Sequence, residues 1–221
     1  MNGMEILTKT LNDAGYTGEL GSFEGKNYKI LWELEQRTDL WRTLREGSCG
    51  GTGAYNLLKK GYKTASTEKS TLKHATFSTQ WGADHEEPAR QAFTLTPVIA
   101  KFLKENNLEG YEAGMILRPD IKRKCHYSPD WILVDKDNKN NIKGLCEIKC
   151  FQEAHHLKIV ESKRIDEKIL CQMQFGMYMC QVPYCFFIAY NPTVESGKQL
   201  YIKRVEAEKK YQDAFEKLLN E

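Results

Sequence analysis

The segment CEIKC, residues 146–150, places a carboxylate and an ammonium two positions apart between two cysteines. Side chains alternate between the faces of a strand, so Glu147 and Lys149 would share one face and Cys146, Ile148 and Cys150 the other. The thiols are then small buried hydrophobes, because no second cysteine pair completes the tetrahedral ligand set of zinc. On spacing alone, the charged pair is equally consistent with an exposed sheet face carrying cross-strand salt bridges.

A second carboxylate, Asp130, precedes the apolar run WILVD. The polar turn KDNKNN joins that run to IKGLCEIKC, a pattern typical of a β-hairpin. Such a hairpin can bring Asp130 close to Glu147 across the ladder. Two carboxylates and a backbone carbonyl suit a hard cation such as Mg²⁺, and Lys149 beside them could orient or deprotonate a water. This chemistry is appropriate for hydrolysing a phosphodiester.

The elements that must position these residues follow from the apolar periodicity. The pattern of helices, hairpin, helix, strands and final helix predicts an α/β domain built on a central mixed sheet. Residues 61–79, rich in Ser, Thr and Lys, are predicted to form a surface connection. Helical spacing is predicted over residues 28–47, 52–60, 80–93, 97–106, 166–180 and 206–219. Strands are predicted at residues 112–117 and 125–127, in the hairpin, and in CFFIAY and QLYIKRV, the last as an edge strand.

Length and charge limit the possible functions. The 221 residues are enough for one sizeable domain with its own core. The formal net charge of +2 does not favour a polyanionic partner, so DNA contact would need local patches such as Lys59, Lys60 and Lys63 or the run at 121–125. These patches are equally consistent with solvated surface. Seven cysteines without a secretory pattern, and no long apolar run, predict an intracellular protein that neither is secreted nor spans a membrane.

Several longer motifs point to a known family. Pro129-Asp130 followed by Glu147-Ile148-Lys149 matches the P-D…E-x-K signature of the PD-(D/E)xK nuclease superfamily. QFGMY at 174–178 matches the Q-x-x-x-Y helix motif of its exonuclease branches. WRTLREGSCGGTGA at 41–54, WGADHEEPARQAF at 81–93 and FFIAYNP at 186–192 are similar to segments of the bacteriophage lambda exonuclease family. The chain resembles that family, the alkaline exonucleases of viral recombination, over about residues 40–215.

The resemblance implies a restriction-endonuclease-like core, with a central mixed β-sheet flanked by helices, in a single nuclease domain spanning residues 1–221. Residues 1–27 would be an N-terminal extension of unassigned role. Asp130, Glu147 and the carbonyl of Ile148 would bind one metal ion, and Glu86 would help to hold a second. Lys149 would position or activate the attacking water. The implied cofactor is a pair of Mg²⁺ ions, with Mn²⁺ as a candidate substitute.

The same resemblance implies a pocket for a 5′-terminal phosphate. Arg45, Thr52, Ser128 and Gln174 match its binding positions, and an arginine fork with neutral donors suits a phosphate dianion. Thr52 replaces the family's serine but retains the hydroxyl. A helix separates Gln172 and Gln174 by about 200°, so only one can face the pocket. The Q-x-x-x-Y match favours Gln174.

The implied function is a Mg²⁺-dependent 5′→3′ exonuclease that degrades one strand of linear double-stranded DNA from 5′-phosphorylated ends, in recombination or DNA processing. A homotrimer, a single-strand annealing partner, and a location in the host cytoplasm or nucleus if the protein is viral are further implications. The alternatives are an endonuclease or an iron–sulfur nuclease of the same superfamily, and a DNA-end-binding recombination scaffold that does not cleave. No cysteine follows Cys185, which disfavours the iron–sulfur enzyme, and the intact Asp130, Glu147 and Lys149 disfavour the scaffold.

Other residues are compatible with plainer roles. Without the resemblance, Glu86 and Arg90 form an i,i+4 pair typical of a solvated helix. His155 and His156 are predicted to lie in a loop after the catalytic strand, exposed or facing DNA. The tryptophans at 41, 81 and 131 are predicted to belong to the core rather than to stack on bases.

Overall fold

The computed structural model describes residues 3–60 and 77–221, in which eight helices and nine strands are found. Most of the predicted surface connection, residues 61–76 with Lys63, lies outside this range. The helices are α1 (Gly3–Asp13), α2 (Asp39–Arg45), α3 (Gly51–Lys60), α4 (Phe77–Leu95), α5 (Pro97–Glu105), α6 (Glu153–Ser162), α7 (Glu167–Cys180) and α8 (Lys209–Asn220). The strands are β1 (Leu20–Gly21), β2 (Lys29–Leu31), β3 (Leu108–Tyr111), β4 (Met115–Leu117), β5 (His126–Tyr127), β6 (Trp131–Asp135), β7 (Asn138–Lys149), β8 (Tyr184–Tyr190) and β9 (Leu200–Glu206).

The strands form two sheets. The larger has the order β3-β6-β7-β8-β9, in which β7 and β8 are parallel and the other neighbours antiparallel. A crossover through α6 and α7 makes the parallel pairing possible. This is the mixed sheet that the sequence predicted, with QLYIKRV at its edge. The smaller sheet, β1-β2-β4-β5, is antiparallel and was not predicted.

The β6–β7 hairpin brings the acidic residues together. Asp135 pairs with Asn138, so the turn consists of residues 136–137 and is shorter than the predicted KDNKNN. Register shifts near Val134 bend the ladder, and Trp131 pairs with Cys146 at its far end. Asp130, which immediately precedes Trp131, therefore lies beside the strand position of Glu147.

The two faces of β7 bury different cores. Leu145 packs in the larger core with α7, whereas Cys146 and Ile148 pack with Ala89 and Phe93 of α4. Cys146 is fully buried and Ile148 nearly so, as expected for small apolar residues on one face. The alternation predicted from CEIKC is therefore confirmed. None of the described helices has the length and apolar character needed to cross a membrane.

The largest error of the sequence prediction concerns residues 28–47. Only Asp39–Arg45 is helical there, and the Thr38 side chain caps it by accepting a hydrogen bond from the Trp41 amide. Residues 29–31 form β2 because they pair with β4 of the small sheet, far along the chain, and bury Ile30 and Leu31 completely. A periodicity within one segment carries no information about such a distant partner.

Smaller corrections concern the ends of elements. The strand predicted at 112–117 is the shorter β4 of the small sheet, and β3, an edge strand of the larger sheet, was not predicted. The last helix begins at Lys209 rather than at Glu206. His155 and His156 lie in α6 rather than in a loop. His156 is fully buried, with its Nε2 atom 2.7 Å from the carbonyl oxygen of Lys198, so it is not exposed or facing DNA.

Candidate active site

A lysine ammonium lies at the centre of the candidate active site. The Nζ atom of Lys149 is 2.6 Å from Oε1 of Glu147, 3.2 Å from Oδ2 of Asp130 and 2.9 Å from the carbonyl oxygen of Ile148. The same Asp130 oxygen accepts a hydrogen bond from the amide of Ile148 at 2.7 Å. The hairpin thus brings together the four groups that the sequence assigned to metal binding and water activation.

Burial and charge determine the protonation of this cluster. Burial raises the pKa of the Glu147 carboxyl; Lys149 opposes this effect and Asp130 adds to it. Burial alone would lower the pKa of Lys149, but the Asp130 and Glu147 carboxylates outweigh it, so this pKa is raised. Lys149 is consequently an ammonium at neutral pH. In this arrangement it is a positive charge and a hydrogen-bond donor rather than a free amine base.

The donor types fit a hard cation. Two carboxylates and a carbonyl oxygen are ligands that Mg²⁺ accepts, and the ammonium shows that a positive charge is stabilised among them. Within residues 3–60 and 77–221, no three His, Cys, Asp or Glu side chains converge closely enough to form a ready-made metal site. A cation bound by Asp130, Glu147 and Ile148 would therefore compete with Lys149 for the same oxygens.

Glu86 lies on the other side of Asp130. Both line a cleft of about 600 Å³ that Gln36, Arg37 and Arg90 also line. Arg37 donates to Glu86 at 2.8 Å, and an Arg90 nitrogen is 3.8 Å from its second oxygen. Burial, and then the Asp130 charge, raise the pKa of Glu86. The Glu86–Arg90 pair predicted from i,i+4 spacing exists, but it faces this cleft and is joined by a second arginine.

A smaller pocket of about 260 Å³ adjoins the cluster. Its lining includes Arg45, Thr52 and Ser128, three of the four predicted phosphate-binding residues, and also Asp130, Glu147 and Lys149. Arg45 ends α2 and Thr52 lies in the first turn of α3, while Ser128 directly follows β5. A β-bridge between Cys49 and Cys125 holds the α2–α3 connection against β5. This bridge brings residues from distant parts of the sequence to one pocket.

The fourth predicted residue, Gln174, does not face this pocket, and its predicted placement is wrong. Its side chain is fully buried, donating to the Glu206 carbonyl at 2.8 Å and accepting from the Glu208 amide at 2.9 Å. Gln172 lines the pocket instead and donates to the Thr52 hydroxyl at 3.2 Å. The prediction from helical phase, that the two glutamines lie on different faces of α7, is confirmed. The Q-x-x-x-Y motif, however, favoured Gln174, which lies on the face that packs against α8. The Tyr178 hydroxyl of that motif donates a hydrogen bond to the Glu216 carboxylate of α8.

Sequence reasoning missed two residues that support the site. Gln36 donates to the carbonyl of Pro129 at 2.9 Å and so fixes the backbone just before Asp130. No sequence pattern indicates this contact. Trp41, predicted to be core, places its ring 4.0 Å from the Arg45 guanidinium carbon and donates to the Ser128 hydroxyl at 3.0 Å. The i,i+4 spacing of Trp41 and Arg45 was an available signal.

A family model described as the YqaJ-like viral recombinase domain matches residues 40–185, well over half of the chain. The chain belongs to the YqaJ-like viral recombinase family. The matched range contains all the predicted site residues, from Arg45 to Gln174, whereas Gln36 and Arg37 precede it. Membership in this lambda-exonuclease-like family confirms the resemblance drawn from the motifs and supports a nuclease role.

Solved structures of similar fold agree with this family. The structure of LHK-Exo in complex with dAMP has a TM-score of 0.62 to this chain at 20% sequence identity, covering 83% of this chain and 89% of that one. A structure of this alkaline exonuclease from Laribacter hongkongensis gives a TM-score of 0.60 at 18% identity, covering 82% and 89% of the two chains. The fold is therefore restriction-endonuclease-like, as predicted. No curated protein sequence matches the chain.

Proposed function

We propose that the protein is a Mg²⁺-dependent 5′→3′ exonuclease that degrades one strand of linear double-stranded DNA from 5′-phosphorylated ends. The observation that supports this most strongly is the shared lining of the small pocket. Arg45, Thr52 and Ser128 lie in the same cavity as Asp130, Glu147 and Lys149. A terminal phosphate bound by the first group would hold the adjoining phosphodiester against the second.

The metal requirement of this proposal follows from the donor set. Asp130, Glu147 and the Ile148 carbonyl would hold one Mg²⁺ ion and Glu86 would help to hold another, with Mn²⁺ as a candidate substitute. Bound there, the ions would offset the negative charge of the phosphodiester and supply an activated water. Glu86 lines the cleft on the far side of Asp130, which suits a role separate from that of Glu147.

The protein's own side chains would do the remaining work. Lys149, as an ammonium, would orient the attacking water by hydrogen bonding and stabilise negative charge on the phosphate oxygens. Arg45 would bind the terminal phosphate through its guanidinium fork, with Thr52, Ser128 and Gln172 adding neutral donors. The Ile148 amide would keep the Asp130 carboxylate oriented toward the site.

Assembly and biological setting belong to the same proposal. The family resemblance supports an intracellular enzyme that acts as a homotrimer and passes its single-stranded product to an annealing protein. Each chain brings its own Asp130, Glu147 and Lys149 together with Arg45, Thr52 and Ser128 in one pocket. We therefore expect assembly to influence how long the enzyme stays on DNA rather than to complete the catalytic groups.

The test is digestion of one linear duplex with Mg²⁺, labelled on one strand and prepared with a 5′-phosphate or a 5′-hydroxyl, beside a closed circle. We expect rapid 5′→3′ loss of the phosphorylated strand, slower loss of the hydroxyl form, an intact circle, and no reaction in EDTA. Arg45→Ala should reduce the difference between the two linear forms. Cutting of the circle would favour an endonuclease, and absence of cutting under all conditions would favour the scaffold.

A further inference from the structure

Trp41 contacts two residues that line the small pocket, Arg45 and Ser128. It lies one helical turn before Arg45 on α2, and its ring centroid is 4.0 Å from the guanidinium carbon of that arginine. Its indole nitrogen is 3.0 Å from the Ser128 hydroxyl oxygen and 3.2 Å from the carbonyl oxygen of Gly114. Arg45 and Ser128 line the small pocket, whereas Trp41 is not among its described lining residues. Trp41 would therefore act on a ligand through these two residues.

The indole contact fixes the direction in which Ser128 can hydrogen-bond. An indole N–H can only donate, so the Ser128 oxygen must be the acceptor in this contact. The hydroxyl hydrogen of Ser128 is then left to donate to another group. Thr52 has the same arrangement, because Gln172 donates to its hydroxyl oxygen at 3.2 Å. Both hydroxyls thus accept a hydrogen bond from the protein and retain their own hydrogen for a ligand.

The Arg45 guanidinium adds further donors to this set and, like all guanidinium groups, offers no acceptor. Stacking on the Trp41 ring restricts the plane in which the guanidinium fork can lie. A terminal phosphate dianion presents only acceptor oxygens. Each of these oxygens can therefore accept a hydrogen bond from Arg45, Ser128 or Thr52. A 5′-hydroxyl group has too few acceptor sites to satisfy the same donors. An internal phosphodiester has one fewer non-bridging oxygen than a terminal phosphate.

We propose that Trp41 is a positioning residue that makes this pocket a set of hydrogen-bond donors, selective for a terminal phosphate monoester over a 5′-hydroxyl or an internal phosphodiester. This inference rests on the proposed function and deepens it. The selectivity arises from the polarity that Trp41 imposes on Ser128 and from the orientation it imposes on Arg45. Loss of the indole N–H leaves the Ser128 hydroxyl able to turn away from the ligand.

The test is the Trp41→Phe variant, which retains an aromatic ring but removes the N–H. We expect the ratio of kcat/KM for 5′-phosphorylated over 5′-hydroxyl duplex to fall on the order of fivefold to tenfold, the effect of one lost hydrogen bond. Most of this loss should appear in KM for the phosphorylated duplex. Isothermal titration of the metal-free protein with inorganic phosphate should show weaker binding by a similar factor.

Two further variants separate positioning from general packing. In a Ser128→Ala background, Trp41→Phe should have no additional effect on the ratio, because the hydroxyl it orients is absent. Tyr28→Phe removes a buried hydroxyl that bonds to the hairpin away from the pocket, so it should lower stability without changing the ratio. An effect of Trp41→Phe that is equal on both substrates, or that persists without Ser128, would overturn the inference. A wild-type enzyme that cleaves both ends equally and binds no phosphate would overturn the proposed function as well.

Discussion

At the scale of single residues, the site is organised around the ammonium of Lys149. This charge contacts two carboxylates, one of them buried, and a carbonyl oxygen. Without a cation, such a cluster would leave like charges close together in a region of low polarity. Lys149 therefore stabilises the metal-free fold, in addition to its proposed role in orienting the attacking water. Loss of the first role should lower the stability of the metal-free protein, and loss of the second should lower the rate of cleavage.

The first prediction concerns Lys149→Ala. We expect cleavage to fall at least about a hundredfold, the range for losing a preorganised group that stabilises developing charge. The melting temperature in EDTA should also fall, because Asp130 and Glu147 lose their counter-charge, and Mg²⁺ should restore more stability than it gives to the wild type. Nuclease assays and thermal melts with and without Mg²⁺ measure both effects.

Lys143→Ala is the matched control, since Lys143 is an exposed lysine of the same strand. It should leave both cleavage and the Mg²⁺ response near wild-type values. If Lys149→Ala cleaved DNA normally, Lys149 would have no part in the reaction. If its melting temperature did not respond more strongly to Mg²⁺, the counter-charge role would be wrong.

The second prediction concerns the pH dependence of stability through His126. Burial, with the positive charges of Arg45 and Lys124, lowers the pKa of this histidine to about 3, and Ser48 is its hydrogen-bond partner at 2.9 Å. An unfolded histidine has a pKa near about 6.5. Below that pH the unfolded chain binds a proton that the folded chain does not. The stabilising contribution is therefore complete above about pH 6.5 and is lost as pH falls toward about 3.

Urea unfolding of wild type and His126→Gln at about pH 7.5 and about pH 5.5 measures this contribution. On acidification, the wild type should lose about 1.4 kcal/mol more of its free energy of unfolding than the variant, since one proton is taken up by the unfolded state alone. Equal losses in the two proteins would show that His126 titrates similarly in the folded and unfolded chains.

At the scale of elements, α7 has two faces with different tasks. Gln172 faces Thr52 and the small pocket, whereas Gln174 ties the helix to the junction between β9 and α8. Helical geometry predicted that the two glutamines point in different directions. It did not predict which direction is the pocket, because that depends on how α7 packs against α3 and α8. The Q-x-x-x-Y motif predicted that Gln174 faces the pocket, whereas in the folded chain Gln172 does.

The third prediction tests the two faces separately. Gln174→Ala should cost about 1–3 kcal/mol of stability, because it leaves the Glu206 carbonyl and the Glu208 amide without their partner. Gln172→Ala should change stability little but raise KM for 5′-phosphorylated duplex. Chemical unfolding and steady-state kinetics on both variants measure this contrast. Equal kinetic losses, or a stability loss confined to Gln172→Ala, would contradict it.

Other elements show what the sequence can and cannot predict. The alternation in CEIKC correctly placed Glu147 and Lys149 on one face of β7 and Cys146 and Ile148 on the other, because strand geometry is local. The hairpin was predicted for the same reason. β2 and the small sheet were not predicted, since Lys29 pairs with Leu117 far along the chain. Gln36, which holds the Pro129 carbonyl, likewise acts through a contact that only the folded chain reveals.

At the scale of the whole molecule, Asp130 lies between two cavities of different character. In the small pocket, Arg45 and Lys149 face the carboxylates of Asp130 and Glu147 beside neutral donors. The larger cleft contains more carboxylates than arginines, including Glu86, Glu87 and Glu112. The family motifs predicted most of the residues that line the small pocket, but only Glu86 and Asp130 in the larger cleft. They did not predict the arrangement of the two cavities around one aspartate. With a formal net charge of only +2, local placement of charge must guide DNA to the site.

The fourth prediction concerns assembly. If the protein is a homotrimer, dilution that dissociates it should preserve the initial hydrolysis rate per chain, because each chain brings its own Asp130, Glu147, Lys149 and Arg45 together in one pocket. The number of nucleotides released per binding event should fall. Light scattering gives the oligomeric state, and digestion with excess unlabelled trap DNA gives processivity. Loss of all hydrolysis on dissociation would mean that a neighbouring chain completes the site.

The central claim is that Asp130, Glu147 and Lys149 hydrolyse the phosphodiester next to a bound 5′-phosphate. Its most direct test is the first labelled product released from a 5′-end-labelled linear duplex with Mg²⁺, for wild type and Glu147→Gln. We expect the label to appear first in a mononucleotide with the wild type and to stay on the DNA with the variant. Label appearing first in longer fragments, or equally fast release by Glu147→Gln, would contradict the account.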